Sequence, residues 1–103
     1  MSAIDNKFEV DGNRLRVQGE LGPDDERAYS EALFDLLKTG FDELEVDLRK
    51  LSHMSSAYIG STCLLTLVAK QRKRDVTVIA RKEIGRILEA SGLPKLTTVR
   101  IVE

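Results

Sequence analysis

The chain has few of the residues on which several common kinds of protein chemistry depend. Its 103 residues include one cysteine, one histidine, two prolines and no tryptophan. A single cysteine, Cys63, excludes an internal disulfide and is typical of a reducing compartment. One histidine and no cysteine pair do not form a metal-binding pattern, so we expect neither a metal nor a cofactor.

Long hydrophobic runs are also missing. The most apolar stretch, residues 57–69, is interrupted by Gly60, Cys63 and several hydroxyl residues. It is shorter than the ~20 residues that a membrane-spanning helix needs. The first residues lack the apolar core of a signal peptide. We therefore expect a cytoplasmic protein that does not insert into a membrane.

The charges are nearly balanced. Sixteen basic and seventeen acidic residues give a formal net charge of −1, which provides no overall attraction to nucleic acid. The hydrophobic fraction of 42% and charged fraction of 32% are typical of a globular chain, and the length predicts one domain over residues 1–103. The sequence contains no glycine-rich phosphate loop and no Ser-His-Asp order, so we expect the protein not to be an enzyme.

The pattern of apolar residues predicts alternating strands and helices. Two short alternating segments flank the turn residues 11–13, which is typical of a β-hairpin. The predicted order is β-β-α-β-α-β-α-β, and right-handed crossovers would make the later strands parallel. The predicted fold class is α/β: a sandwich with a mixed, mostly parallel sheet and helices packed against it.

Two of these elements give specific expectations about burial. Residues 76–80 are apolar at every position but one, which indicates a central strand covered on both faces. The second helix, beginning near Ser56, is expected to bury one apolar stripe, with Cys63 as a small core residue. That stripe consists of Ala57, Gly60, Leu64, Leu67 and Val68, widened by Ile59 and Cys63.

Residues 44–60 are the most informative part of the sequence for function. An alternating strand leads through a short polar loop to Ser55 and Ser56, where a helix begins. The first N–H groups of a helix have no partner within it, and the helix dipole favours negative charge there. A serine that can gain a phosphate at this place is a candidate switch. The alternative role for Ser55, and also for Ser56, is that of a helix N-cap.

Three segments resemble one known family. They are residues 19–21 before the first helix, residues 46–60, and residues 87–96, which end in Ser-Gly-Leu-Pro-Lys-Leu. In this order and spacing the chain resembles a STAS domain of the anti-sigma-factor antagonist type. The resemblance covers nearly the whole chain and implies the α/β sandwich predicted above.

The family's central motif, Asp-Ser-Ser/Thr-Gly-Leu-Gly, aligns with residues 55–60. Ser56 takes the position of the serine that the family phosphorylates, and Gly60 matches the last glycine. Ser55 stands in place of the aspartate, and Tyr58 in place of the first glycine. The resemblance therefore implies phosphorylation at Ser56, with Ser55 as the second candidate. It also implies a partner-binding surface formed by Ser55, Ser56, Ala57, Tyr58, Ile59 and Gly60.

The resemblance implies a partner switch. The unmodified protein would bind a serine kinase or anti-sigma-type regulator, phosphorylation of Ser56 would release it, and a PP2C-like phosphatase would reverse the change. The changes at Ser55 and Tyr58 leave a second function open, that of a non-phosphorylated STAS subunit of an ABC-type membrane transport complex. Tyr58 is expected either to anchor the interface or to be a half-buried surface residue. Gly60 is expected to allow close approach either of a partner or of the domain's own sheet.

Overall fold

Five strands and three helices follow one another in the predicted order. The computed structural model describes residues 7–19, 21–51, 53–95 and 97–102. Glu20, Ser52 and Leu96, which belong to the resembling segments, lie outside these ranges. The elements are β1 (Phe8–Asp11), β2 (Arg14–Gln18), α1 (Glu26–Leu37), β3 (Glu43–Lys50), α2 (Ser56–Gln71), β4 (Asp75–Arg81), α3 (Lys82–Ala90) and β5 (Thr98–Val102), with single turns of 3₁₀ helix at Pro23–Asp25 and Leu93–Lys95.

The strands form one mixed sheet in the order β1-β2-β3-β4-β5. β1 and β2 are antiparallel and are joined by a tight turn in which Gly12 has φ +61°. The other neighbouring pairs are all parallel, as predicted for strands joined by helices. The α/β fold class and the mostly parallel sheet are confirmed.

The hydrophobic core lies between the sheet and the helices. Alternate residues of β3, namely Leu44, Val46 and Leu48, are at most 1% exposed and face the helices, as the alternation predicted. They belong to one cluster with the buried residues of the three helices. The fold is therefore a sheet with one layer of helices.

The opposite face of the sheet is polar. We call it the open sheet face. It presents ion pairs between neighbouring strands, such as Arg14 Nη2 to Glu45 Oε1 at 2.6 Å. The expectation for β4 is met in part: it is an internal strand with consecutive buried residues on both faces, but among the described residues the helices cover one of these faces and not the other. Ile79 is only 3% exposed, but it lies outside the core cluster, and its partners in the sheet are Asp47 on β3 and Arg100 on β5.

The orientation of α2 also differs from the prediction. Its buried residues are Tyr58, Thr62, Leu65, Thr66 and Ala69. Leu64 and Leu67, expected in the core, are 51% and 43% exposed, and Cys63 is half-buried at the edge of the core. The helix thus turns a face containing two threonines inward and two leucines outward.

The last helix ends as predicted. Ile84 and Leu88 of α3 are buried, whereas Ile87 is 37% exposed. Gly92 adopts φ +88° after the helix, and Leu93 is fully buried. Among the described residues, no helix is both long and apolar enough to cross a membrane.

Candidate functional site

The two serines lie where the loop after β3 enters α2. Leu51 and Met54 are each 3% exposed and anchor this loop in the core. Ser55 is the N-cap residue: its backbone is extended, and its carbonyl oxygen accepts the N–H groups of Tyr58 and Ile59, both at 3.1 Å. Its side chain makes no capping hydrogen bond. The predicted N-cap position is confirmed, but the hydroxyl does not perform the capping.

Ser56 is the first residue of α2 and is exposed. The N–H groups of Ser56 and Ala57 precede the first hydrogen bonds within the helix, and the first turn of α2 contains no acidic residue. An anion attached to Ser56 would therefore meet donors and the positive end of the helix dipole. Ser56 is thus exposed at a helix N-terminus whose backbone favours negative charge, with the acidic residues before α1 near the same end of α2.

Tyr58 lies inside the protein, which corrects its interpretation as an exposed anchor or a half-buried surface residue. Its side chain is 2% exposed, and its hydroxyl donates to the carbonyl oxygen of Gly22. Its ring meets that of Tyr29 edge-on at a centroid distance of 5.3 Å. Burial raises the pKa of the Tyr58 phenol, so it remains a donor at neutral pH. Tyr58 attaches the loop before α1 to the start of α2.

A buried chain of hydroxyl groups fixes α2 against α1. The Thr62 hydroxyl donates to the Tyr58 carbonyl oxygen at 2.8 Å, and the Tyr29 hydroxyl lies 2.6 Å from the Thr62 oxygen. Because the Thr62 hydrogen is already used, the Tyr29 hydroxyl is the donor in the second bond. Ser30 and Ser61 make a further hydroxyl contact at 3.0 Å between the same helices. These bonds satisfy hydroxyl groups that α2 buries.

The outward face of α2 forms an exposed stripe that begins at Ser56. We call the set Ser56, Gly60, Leu64 and Leu67 the α2 stripe. These residues follow one another at helical spacing and extend over about 16 Å. Of the other residues predicted to bind a partner, Ala57 and Ile59 are half-buried beside the stripe. Sequence analysis had placed Leu64 and Leu67 in the core, so their part in this surface was missed.

Gly60 is in open space. A Cβ atom built on it would meet no atom within 4 Å, so packing on the domain's own sheet does not require glycine there. This excludes one of the two explanations expected for this residue. The glycine that does serve internal packing is Gly85 in α3, where a Cβ atom would lie 2.6 Å from Cγ1 of Ile101.

The surroundings of the α2 stripe differ in charge from end to end. Near its start, the acidic residues of the 3₁₀ turn and of the beginning of α1 act on Tyr58, and each contributes to its raised pKa. At the opposite end, α2 finishes with exposed basic residues.

His53 is exposed on the loop before α2. Within the described parts of the chain, no three histidine, cysteine or acidic side chains come together as a metal site would require.

Comparison with known protein families identifies this architecture. A family model described as "Mlab, STAS domain" matches residues 5–101. The protein belongs to this STAS family. A search of curated proteins gives no significant match. The family membership agrees with the five-stranded sheet and supports a general regulatory or binding role for the STAS domain.

Proposed function

We propose that this STAS domain binds a regulatory protein on the α2 stripe and that phosphorylation of Ser56 weakens the complex. The observation that supports this most directly is the alignment of Ser56 with two exposed leucines on a single helix face. The buried face of α2 is held by satisfied hydrogen bonds, so the outward position of Leu64 and Leu67 is a stable feature of the fold.

The leucines provide the attraction. Full burial of a leucine side chain contributes about 1.5–3 kcal/mol, and each of these is already about half-buried. A partner covering both would gain about 2 kcal/mol from these two side chains. Gly60 between Ser56 and Leu64 would let the partner approach the helix backbone closely.

The phosphate on Ser56 would regulate the affinity for the partner. It adds roughly −1.5 to −2 charges at neutral pH. In the unbound protein, water and the amides of Ser56 and Ala57 stabilise this charge. Under a docked partner the phosphate must lose its water, which costs several kcal/mol unless the partner presents matching cations. Because about 1.4 kcal/mol is a tenfold change in affinity, this is enough to release a partner.

The partner we propose is a serine kinase or anti-sigma-type regulator, with a PP2C-like phosphatase removing the phosphate. STAS membership supports a partner-binding role, and the exposed hydroxyl of Ser56 supports modification at that position.

A second function is favoured by the composition of the stripe. Beyond Ser56 the α2 stripe is uncharged for almost three turns, so it could bind a partner permanently. Ser55, where the anti-sigma-factor antagonists have an aspartate, also lacks the carboxylate of that motif. In this alternative the protein is a non-phosphorylated STAS subunit of an ABC-type transport complex.

Affinity purification from the source cell with matched variants tests the proposal. Leu64→Asp adds a charge to the stripe and should remove the partner. Phe41→Asp is the control, since Phe41 is 48% exposed on a loop outside the stripe. Ser56→Ala should retain the partner, and Ser56→Asp should bind it more weakly.

The identity of the captured protein separates the two functions. A kinase-type regulator that Ser56→Asp releases supports the switch. An ATP-binding cassette subunit held equally by Ser56→Ala and Ser56→Asp supports the transport alternative. Equal losses with Leu64→Asp and Phe41→Asp would refute the assignment of the binding surface.

A further inference from the structure

A basic cavity is lined by residues of all five strands and reaches the carboxyl ends of β2 to β5. It has a volume of about 590 Å³, within the range of small-molecule sites. Residues from the carboxyl ends of the four parallel strands line it, including Gln18 of β2, Lys50 of β3, Arg81 of β4 and Val102 of β5. In open α/β sheets, ligands commonly bind at the carboxyl ends of the strands.

An irregularity in strand pairing brings two consecutive cations into this cavity. Arg16 pairs with Asp47, but Gln18 pairs with Lys50, so β3 has one residue more than β2 over this interval. Regular alternation would direct Arg49 and Lys50 to opposite faces. With the extra residue, both line the cavity.

The cavity is basic although the whole chain has a net charge of −1. Five cationic side chains line it and only two acidic ones, Glu9 and Asp47; the cations are Arg14, Arg16, Arg49, Lys50 and Arg81. The three arginines of β2 and β3 are engaged with carboxylates, Arg49 binding both oxygens of Asp47 at 2.9 and 2.7 Å.

Lys50 and Arg81 differ from these three arginines in their ion pairing. Neither forms an ion pair with any residue in the described ranges, and both are exposed at the cavity. They come from adjacent parallel strands. Two exposed cations that pair with no carboxylate of the described residues, beside a set of paired ones, favour an anionic ligand.

We propose that this cavity binds a small molecule bearing two or more phosphate charges. Arg81 presents a planar fork of donors suited to phosphate oxygens, and Lys50 presents a compact positive charge. The partial enclosure by four strands suits a small soluble molecule better than a flat membrane surface. No residue of the α2 stripe lines the cavity, so this site is distinct from the partner-binding surface proposed above.

Calorimetric titration of the whole protein with pyrophosphate tests the site. Wild type should bind saturably. Lys50→Gln/Arg81→Gln should bind about tenfold more weakly or worse, because two charge-assisted contacts are lost. The control, Lys38→Gln/Arg72→Gln, removes the same charge from two exposed residues at helix ends and should stay within about twofold of wild type.

Amide chemical shifts of the wild-type protein give a second measurement that does not depend on how the variants fold. Pyrophosphate should shift the amides of residues 49–50 and 81–82 and leave those of residues 56–67 unchanged. The proposal is overturned if pyrophosphate does not saturate, if the control pair weakens binding as much as the Lys50/Arg81 pair, or if only phosphatidate vesicles bind. Purification of the same partner by Lys50→Gln/Arg81→Gln would show that the two sites are separate.

Discussion

Replacing Thr62 by valine should destabilise the protein far more than its small chemical change suggests. The two side chains have nearly the same shape, but valine cannot accept the hydrogen bond from the Tyr29 hydroxyl. Tyr29 is fully buried, so this donor would have no partner, and burial raises the pKa of Tyr29 so strongly that ionisation offers no alternative. An unsatisfied buried donor costs about 1–3 kcal/mol. At about 2 kcal/mol, the melting temperature should fall by roughly 8–16 °C.

Thr66→Val is the matched control. Thr66 is 1% exposed on the same face of α2, but its hydroxyl donates only to the carbonyl oxygen of Cys63 in its own helix. Loss of the Thr66 hydroxyl leaves no buried donor unpaired, so we expect the free energy of unfolding to change by no more than about 0.5 kcal/mol. Urea unfolding at constant m-value measures both changes in free energy of unfolding.

A double-mutant cycle tests whether the lost hydrogen bond between Tyr29 and Thr62 causes the destabilisation by Thr62→Val. Tyr29→Phe removes the donor itself, so adding Thr62→Val should cost much less in that background than in wild type. If Thr62→Val costs no more than Thr66→Val, or if the two changes at residues 29 and 62 are additive, the buried hydroxyl chain does not hold α2 in place.

Two further predictions concern glycine packing and acid stability. Gly85→Ala should destabilise the protein by about 1–3 kcal/mol, because the new methyl group would overlap Ile101. Gly60→Ala should raise stability by about 0.5–1 kcal/mol, because the new methyl group would meet no other atom. Equal effects of the two changes in thermal unfolding would refute the assigned contacts. The hydrogen bonds from Arg49 hold the pKa of the Asp47 carboxyl below its usual range, so its stabilising contribution is present above about pH 4 and is lost as the pH falls through the lowered value. The stability advantage of wild type over Asp47→Asn, from urea unfolding at a series of pH values, should therefore shrink on acidification, and a constant difference would contradict this.

The fold was predictable where local chemistry and periodicity agree. The hairpin was predictable because Asp11-Gly12-Asn13 lies between alternating segments, and Gly12 does adopt positive φ. The end of α3 was predictable from Gly92 and Pro94, whose backbone preferences act wherever they occur. The position of Ser55 and Ser56 at the start of α2 followed from the change of period after β3.

The orientation of α2 could not be predicted from periodicity, because both of its faces are largely uncharged. The buried face contains Thr62, whose hydrogen-bond partner, Tyr29, belongs to another helix. The sequence gives no local sign of a pairing between residues so far apart. Leu64 and Leu67 were expected in the core but are exposed, so the candidate site could be located from Ser56 but these two leucines could not.

The most direct test of the central claim is the affinity of the purified partner for two forms of this protein, unmodified and stoichiometrically phosphorylated on Ser56. The account predicts that phosphorylation weakens binding about 10- to 1,000-fold, as expected for an uncompensated charge on a buried surface, with no change in the fold by circular dichroism. Equal affinity of the two forms would contradict the account, because the modified residue would then lie outside the docking surface.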